Sequence, residues 1–120
     1  ENIFQRHEKH KLAVSNAIQA LKLKLFANSK SLSPSITAIE LPEIDAEAFR
    51  KTIKDKYDIL LAGGQDHLKG KIFRVGHLGY INNRDIIMAI SAIGLTLLEQ
   101  KLISIDDVGE ALQISEAYLK

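Results

Sequence analysis

The sequence predicts a single α+β domain, a two-layer sandwich with helices covering a small, mainly antiparallel three-stranded sheet. Three observations carry this. Helical apolar stripes and short β-branched runs follow each other as helix, strand, helix, strand, strand, helix, helix. A right-handed crossover makes the first two strands parallel, and the third, antiparallel to its hairpin partner, fits between them. A chain of 120 residues is long enough for one domain with a real core.

The first helix is read over residues 2–26. Val14, Ala17, Ile18, Leu21 and Leu25 recur at three- and four-residue spacing as one apolar stripe. Asn28 to Ser35 reads as a loop containing Pro34, and Ser35 to Leu41 as a β-branched strand bounded by Pro34 and Pro42. Asp45 is the expected N-cap of the second helix, with Glu47 in its first turn and Ala46, Phe49, Ile53 and Tyr57 on its buried face. The run Asp58-Ile59-Leu60-Leu61-Ala62, stopped by Gly63-Gly64, reads as a buried strand. Gln65 to Gly70 is a loop of hairpin length, and Lys71 to Leu78 the returning strand.

Asn82 and Asp85 stand at capping-box spacing before a helix that runs to about Lys101. That helix is apolar on more than one side, through Ile86, Ile87, Ile90, Ile93, Leu97 and Leu98. Such a helix is buried broadly or meets something beyond its own domain, and the expectation is an apolar patch that would drive self-association. Gly94, which costs about 1 kcal/mol against alanine in mid-helix, predicts a close contact there. A last helix opens at Ser104-Ile105-Asp106-Asp107 and carries Val108, Leu112 and Leu119.

Composition narrows the function classes. A formal net charge of +1 gives no electrostatic reason to expect nucleic acid or an anionic membrane as partner. The absence of cysteine excludes disulfides, thiolate metal sites and cysteine nucleophiles, and is compatible with a cytoplasmic protein. No apolar run approaches the roughly 20 residues that span a bilayer, and no signal-peptide pattern is visible. The chain starts at Glu1 and runs almost at once into helical sequence, which reads as a piece of a longer polypeptide.

Arg74 is the residue that stands out. It interrupts the apolar strand Lys71-Ile72-Phe73-Arg74-Val75-Gly76, on the face of Ile72 and Gly76. A guanidinium cannot shed its charge, so an inward Arg needs an anionic partner, and its planar fork fits a carboxylate or phosphate best. An outward Arg on a half-solvated sheet is the plain alternative. The surrounding glycines 63, 64, 70, 76 and 79 favour the first reading, because they let backbone or ligand approach closely.

The remaining chemistry is sparse. His7 and His10 could share a helix face, but nothing completes a zinc set, so both read as solvated side chains. Asp66 and His67 lack an identifiable third member for nucleophilic catalysis. Gly63-Gly64 has no following Lys-Ser or Lys-Thr and opens no helix, so it is not a phosphate-binding loop.

The stretch from Tyr57 through Gly63-Gly64 and Gly70 to Arg74-Val75-Gly76-His77-Leu78-Gly79 resembles class V aminotransferases of the alanine–glyoxylate or serine–pyruvate type, in their C-terminal small domain. Arg6-His7, the helix to Leu21, Leu25-Phe26, Ile36 to Pro42 and the helix after Asn82 are similar too, so the resemblance covers residues 1 to about 100. The loop from Gln65 to Gly70 is more similar still to the small subunit of a cyanobacterial soluble hydrogenase, a protein itself similar to these aminotransferases.

The resemblance implies a pyridoxal-phosphate enzyme of fold type I and places residues 1–120 as its small domain, closing over a cofactor held by a larger N-terminal domain. It implies that Arg74 grips the carboxylate of the amino or oxo acid, and that the fragment binds no cofactor and is inactive alone. The cofactor lysine and phosphate contacts belong to the large domain, the implied partner, and the implied assembly is a homodimer. A competing reading is a non-catalytic ligand-binding or partner-docking module, the subunit of a redox protein. A chain without cysteine cannot supply thiolates to an iron–sulfur or nickel–iron centre, so no residue supports the hydrogenase name itself.

Overall fold

The computed structural model describes residues 3–26, 36–41, 44–64, 66–76 and 82–120. The loop read at 28–35, the prolines that bound the first strand, Gln65 and the end of the last strand at His77 and Leu78 lie outside the described residues.

Elements follow in the order α1 (Ile3–Ala20), β1 (Lys24–Leu25), β2 (Ile36–Glu40), α2 (Ala46–Tyr57), β3 (Ala62–Gly63), a 3₁₀ turn (Asp66–Leu68), β4 (Ile72–Gly76), α3 (Asn83–Glu99) and α4 (Ile105–Leu119). The sheet is antiparallel throughout, in the order β1-β2-β4-β3. β4 therefore lies between β2 and β3, which run parallel without pairing, as the crossover argument requires. The fold is the expected α+β sandwich, with β1 as a short added strand.

β1 corrects the first helix. Instead of running to Phe26, the helix ends at Ala20, because Lys22 turns into the left-handed region at φ 67°. Lys22 N–H donates to Gln19 C=O at 3.0 Å and Leu23 N–H to Ile18 C=O at 3.2 Å, the paired bonds of a Schellman cap. Lys101, at φ 62°, ends α3 in the same way, and Asp58, at φ 56°, ends α2 with one bond to Lys54 C=O. The starts match the expectations: Asp45 accepts from Glu47 N–H, and Asn82/Asp85 and Ser104/Asp107 close reciprocal capping boxes.

The run after α2 is not a buried strand. Only Ala62–Gly63 pairs, at the sheet edge, and Leu60 is 78 % exposed while Leu61 is buried. An edge strand needs only one covered face, so its apolar run alternates between core and surface.

Phe73, Val75 and Ile39 point to the helices and are buried, and the Phe73 ring meets Phe49 of α2 with centroids 5.4 Å apart. α3 packs against α1, α2 and α4, which covers most of the apolar surface that the sequence left open. Ile86, Ile90, Ile93 and Leu97 are all buried, and Ile87 and Leu98 are half-buried against the same core. The helix is apolar on several sides because it has neighbours on several sides. Gly94 sits in a close contact, since a Cβ there would lie 3.3 Å from both Leu21 Cδ2, in the turn that ends α1, and Val108 Cγ1 of α4.

Candidate functional site

The register places Arg74 directly between Ala38 of β2 and Ala62 of β3. Opposed residues share a face, so the side chains directly flanking Arg74 on its two neighbouring strands are methyl groups. Phe73, its neighbour on the other face, anchors the strand in the core. The burial of Phe73 fixes the register, and the register leaves Arg74 half-buried over an alanine-lined strip.

One guanidinium contact is internal: Arg74 Nε donates to Gly63 C=O at 2.9 Å. Nη1 and Nη2 have no hydrogen-bond partner among the described residues, and Arg74 forms no ion pair with any of them. Glu40, the nearest carboxylate by register on that face, stands opposite Ile72 and Lys24 rather than Arg74. Nε is thus tied to backbone while the two terminal amino groups keep their donors.

The opposite side of β3 carries a second arginine that the sequence reading did not single out. Arg50 Nη1 donates to Leu61 C=O at 2.7 Å, and Nη2 and Nε donate to Glu47 Oε1 and Oε2 at 2.6 and 3.2 Å. The Arg50 hydrogen bond holds the Glu47 carboxyl below its ordinary value, partial burial opposes this, and the Arg50 and Lys69 charges add to the lowering. A Cβ on Gly63 would fall 2.6 Å from Glu47 Oε2 and 2.8 Å from Arg50 Nη2, so this pair lies flat on the strand only because residue 63 is glycine. The three-residue spacing of Glu47 and Arg50 on a helix is visible in the sequence; its target, a carbonyl 11 residues on, is not.

His10 departs from its expected solvated state. It is buried, and its Nε2 lies 3.2 Å from Asn83 Oδ1. Asn83 Nδ2 donates to Leu119 C=O at 3.0 Å, so Oδ1 must accept and His10 Nε2 carries the hydrogen. This bridge ties α1, α3 and α4. The His7 side chain and Gln65 lie outside what is described, and among the described residues no three His, Asp or Glu gather to hold a metal ion.

Two clefts are lined by described residues: one of about 190 Å³ by Leu21, Leu41, Ile44, Leu97 and their neighbours, the other of about 380 Å³ by Glu47, Arg50, Lys54 and Leu60. Arg74 lines neither. Among the described residues no helix is long and apolar enough to cross a membrane.

An antiparallel sheet backed by helices is the small-domain architecture of pyridoxal-phosphate-dependent aminotransferases, and class V aminotransferases are what this chain resembles. It is 50 % identical over 99 residues to the soluble hydrogenase 42 kDa subunit of Anabaena cylindrica, covering 82 % of this chain and 26 % of that protein. It is 32 % identical over 114 residues to the (S)-ureidoglycine–glyoxylate transaminase of Bacillus subtilis, covering 94 % of this chain and 27 % of the enzyme. Superposed on the crystal structure of ureidoglycine–glyoxylate aminotransferase from Bacillus subtilis, it gives a TM-score of 0.84 at 29 % identity, over 94 % of this chain and 29 % of that one. No family model matches the chain. The chain spans about a quarter of the length of the curated relatives it matches. An alignment of 114 residues in a chain of 120 necessarily runs into α4, so similarity extends past residue 100, where the sequence reading stopped.

Proposed function

We propose that residues 1–120 are the C-terminal small domain of a pyridoxal-phosphate-dependent transaminase, and that Arg74 anchors the substrate carboxylate. The amino group would pass between a small amino acid and a 2-oxo acid such as glyoxylate or pyruvate. The observation that carries this is the state of Arg74: half-buried, flanked by two alanines, held at Nε, and without an ion pair among the described residues. A planar fork presenting two parallel N–H donors suits a carboxylate, and fixing Nε sets the fork's direction in advance. The names of the aminotransferase relatives support the reaction class.

The cofactor itself does not fit the described residues of this chain. No described lysine is buried, and none shares an enclosed site with a carboxylate that could face a pyridine nitrogen. The chain's part is therefore to bind and orient the substrate carboxylate. The cofactor and the rest of the cleft, which Arg74 needs and these elements do not build, fall to a larger domain outside this sequence. A homodimer in the cytoplasm, and inactivity of this domain alone, belong to the same proposal.

In the full-length protein, Arg74→Ala should lower catalytic efficiency for the amino acid by the equivalent of about 2–5 kcal/mol while cofactor absorbance persists. Arg74→Lys should also be poor, since lysine keeps the charge and loses the fork. Unchanged efficiency in Arg74→Ala would remove the anchor. The 50 % identity to a hydrogenase subunit sustains the second reading, a subunit docking on a redox partner. A cofactor absorbance band discharged by amino acid supports the transaminase; its absence, with tight association to a metal-containing protein, supports the subunit.

A further inference from the structure

The geometry points to Glu47 and Arg50 as positioning residues for Arg74, acting through the backbone of β3; this rests on the reading of Arg74 as carboxylate anchor. Gly63 C=O, the internal fixture of the Arg74 guanidinium, belongs to a strand with only two paired residues, at the edge of the sheet. Such an edge has one neighbour to hold it and is free to shift on its other side. Arg50 supplies the missing restraint. Its Nη1 holds Leu61 C=O, two residues before the carbonyl that Arg74 holds, and Glu47 fixes the same guanidinium through two contacts.

Two arginines thus grip β3 and its approach, Arg50 of α2 at residue 61, just before the strand, and Arg74 of β4 at residue 63 within it. Glu47 is itself placed by the first turn of α2, whose N-cap Asp45 accepts from the Glu47 N–H at 3.0 Å. Gly63 lets the Glu47–Arg50 pair rest against the strand. Displacing the pair would let the Gly63 carbonyl move, and the Arg74 fork would turn with it. A misplaced anchor costs rate out of proportion to the displacement.

The test uses the full-length protein and compares an amino acid substrate with the amine that lacks its carboxylate. General damage lowers transfer from both. Loss of anchor position lowers transfer from the amino acid alone. Arg50→Ala and Glu47→Gln should each raise KM for the amino acid about tenfold, leave the amine's rate unchanged, and have no further effect when added to Arg74→Ala. Arg50→Lys should restore part of the loss. Glu47→Gln carries the same prediction if Arg50→Ala does not fold. Carboxylate preference intact in both Arg50→Ala and Glu47→Gln, but lost in Arg74→Ala, would overturn the positioning role and leave the anchor standing. Carboxylate preference intact in Arg74→Ala would overturn both.

Discussion

At the residue scale the fold assigns its charged side chains by what they can be tied to. Arg50 is tied three times, to a carboxylate and a carbonyl, while Arg74 is tied once and left with its fork. The Glu47 carboxyl is the titratable half of the first arrangement. Its folded-state value is depressed below the ordinary 4.5, chiefly by the Arg50 hydrogen bond, so the folded protein binds this proton less readily than the unfolded chain. The stabilisation is fully present above that ordinary value and is lost as pH falls through the depressed one. Asp55, held down by Lys51, and Glu99, held down by Lys56, act in the same window. Glu47→Gln should therefore be less stable than wild type at neutral pH and should lose less stability on acidification from pH 7 to about 3. Urea midpoints measured along that range check it, and parallel curves for the two proteins would refute the linkage.

At the element scale, two helical glycines make opposite predictions from one principle. Gly94 and Gly109 each cost about 1 kcal/mol in helix propensity against alanine. A methyl at residue 109 meets nothing within 4 Å, so Gly109→Ala should stabilise by close to that amount. At residue 94 the new methyl would press on Leu21 and on both Val108 methyls at 3.3–3.4 Å, and both neighbours are buried and enclosed. Overpacking of about 1–3 kcal/mol outweighs the propensity gain, so Gly94→Ala should destabilise, by about 1 kcal/mol net. Denaturant titrations of the two variants should move in opposite directions; movement in the same direction would mean propensity alone decides.

The Gly94 contact was legible in the sequence because a costly residue in an apolar helix needs a reason. Helix starts were legible for the same kind of reason, since Asp45, Asn82 and Ser104 are side chains that cap. Helix ends were not. Three of them turn on left-handed Lys22, Asp58 and Lys101, residues whose chemistry does not announce that backbone state. Leu25 stayed in phase with Leu21, so the stripe ran on into what is β1.

At the scale of the whole molecule, α4 decides whether the helical layer closes. Its contact with α1 is the most extensive between any two elements, and both helices carry small buried residues, Ala13 and Ala17 in α1 and Ala111 and Ser115 in α4. Ser115 places its hydroxyl on Ala111 C=O, so that buried hydroxyl is satisfied within α4. The broad apolar surface of α3 read in the sequence as either buried broadly or meeting something beyond its own domain, because periodicity gives how much surface is apolar but not which element covers it. Part of the cover is α4, which the family resemblance had left unplaced.

Ending the chain at residue 103 would remove the buried side chains of Val108 and Leu119, each contributing about 1.5–3 kcal/mol. It would also uncover the side of α1 that packs on α4 and detach Asn83 from Leu119 C=O, exposing the buried His10 bridge. Against a typical total stability of about 5–15 kcal/mol these losses are decisive. The shortened chain should show no cooperative urea transition and should bind a hydrophobic dye, while the full 120 residues unfold cooperatively. Gly109→Ala in the complete chain, which strengthens α4 without touching its packing, should raise the midpoint of that same transition. A shortened chain that unfolds cooperatively at an unchanged midpoint would show that α1 and α3 close the core without α4.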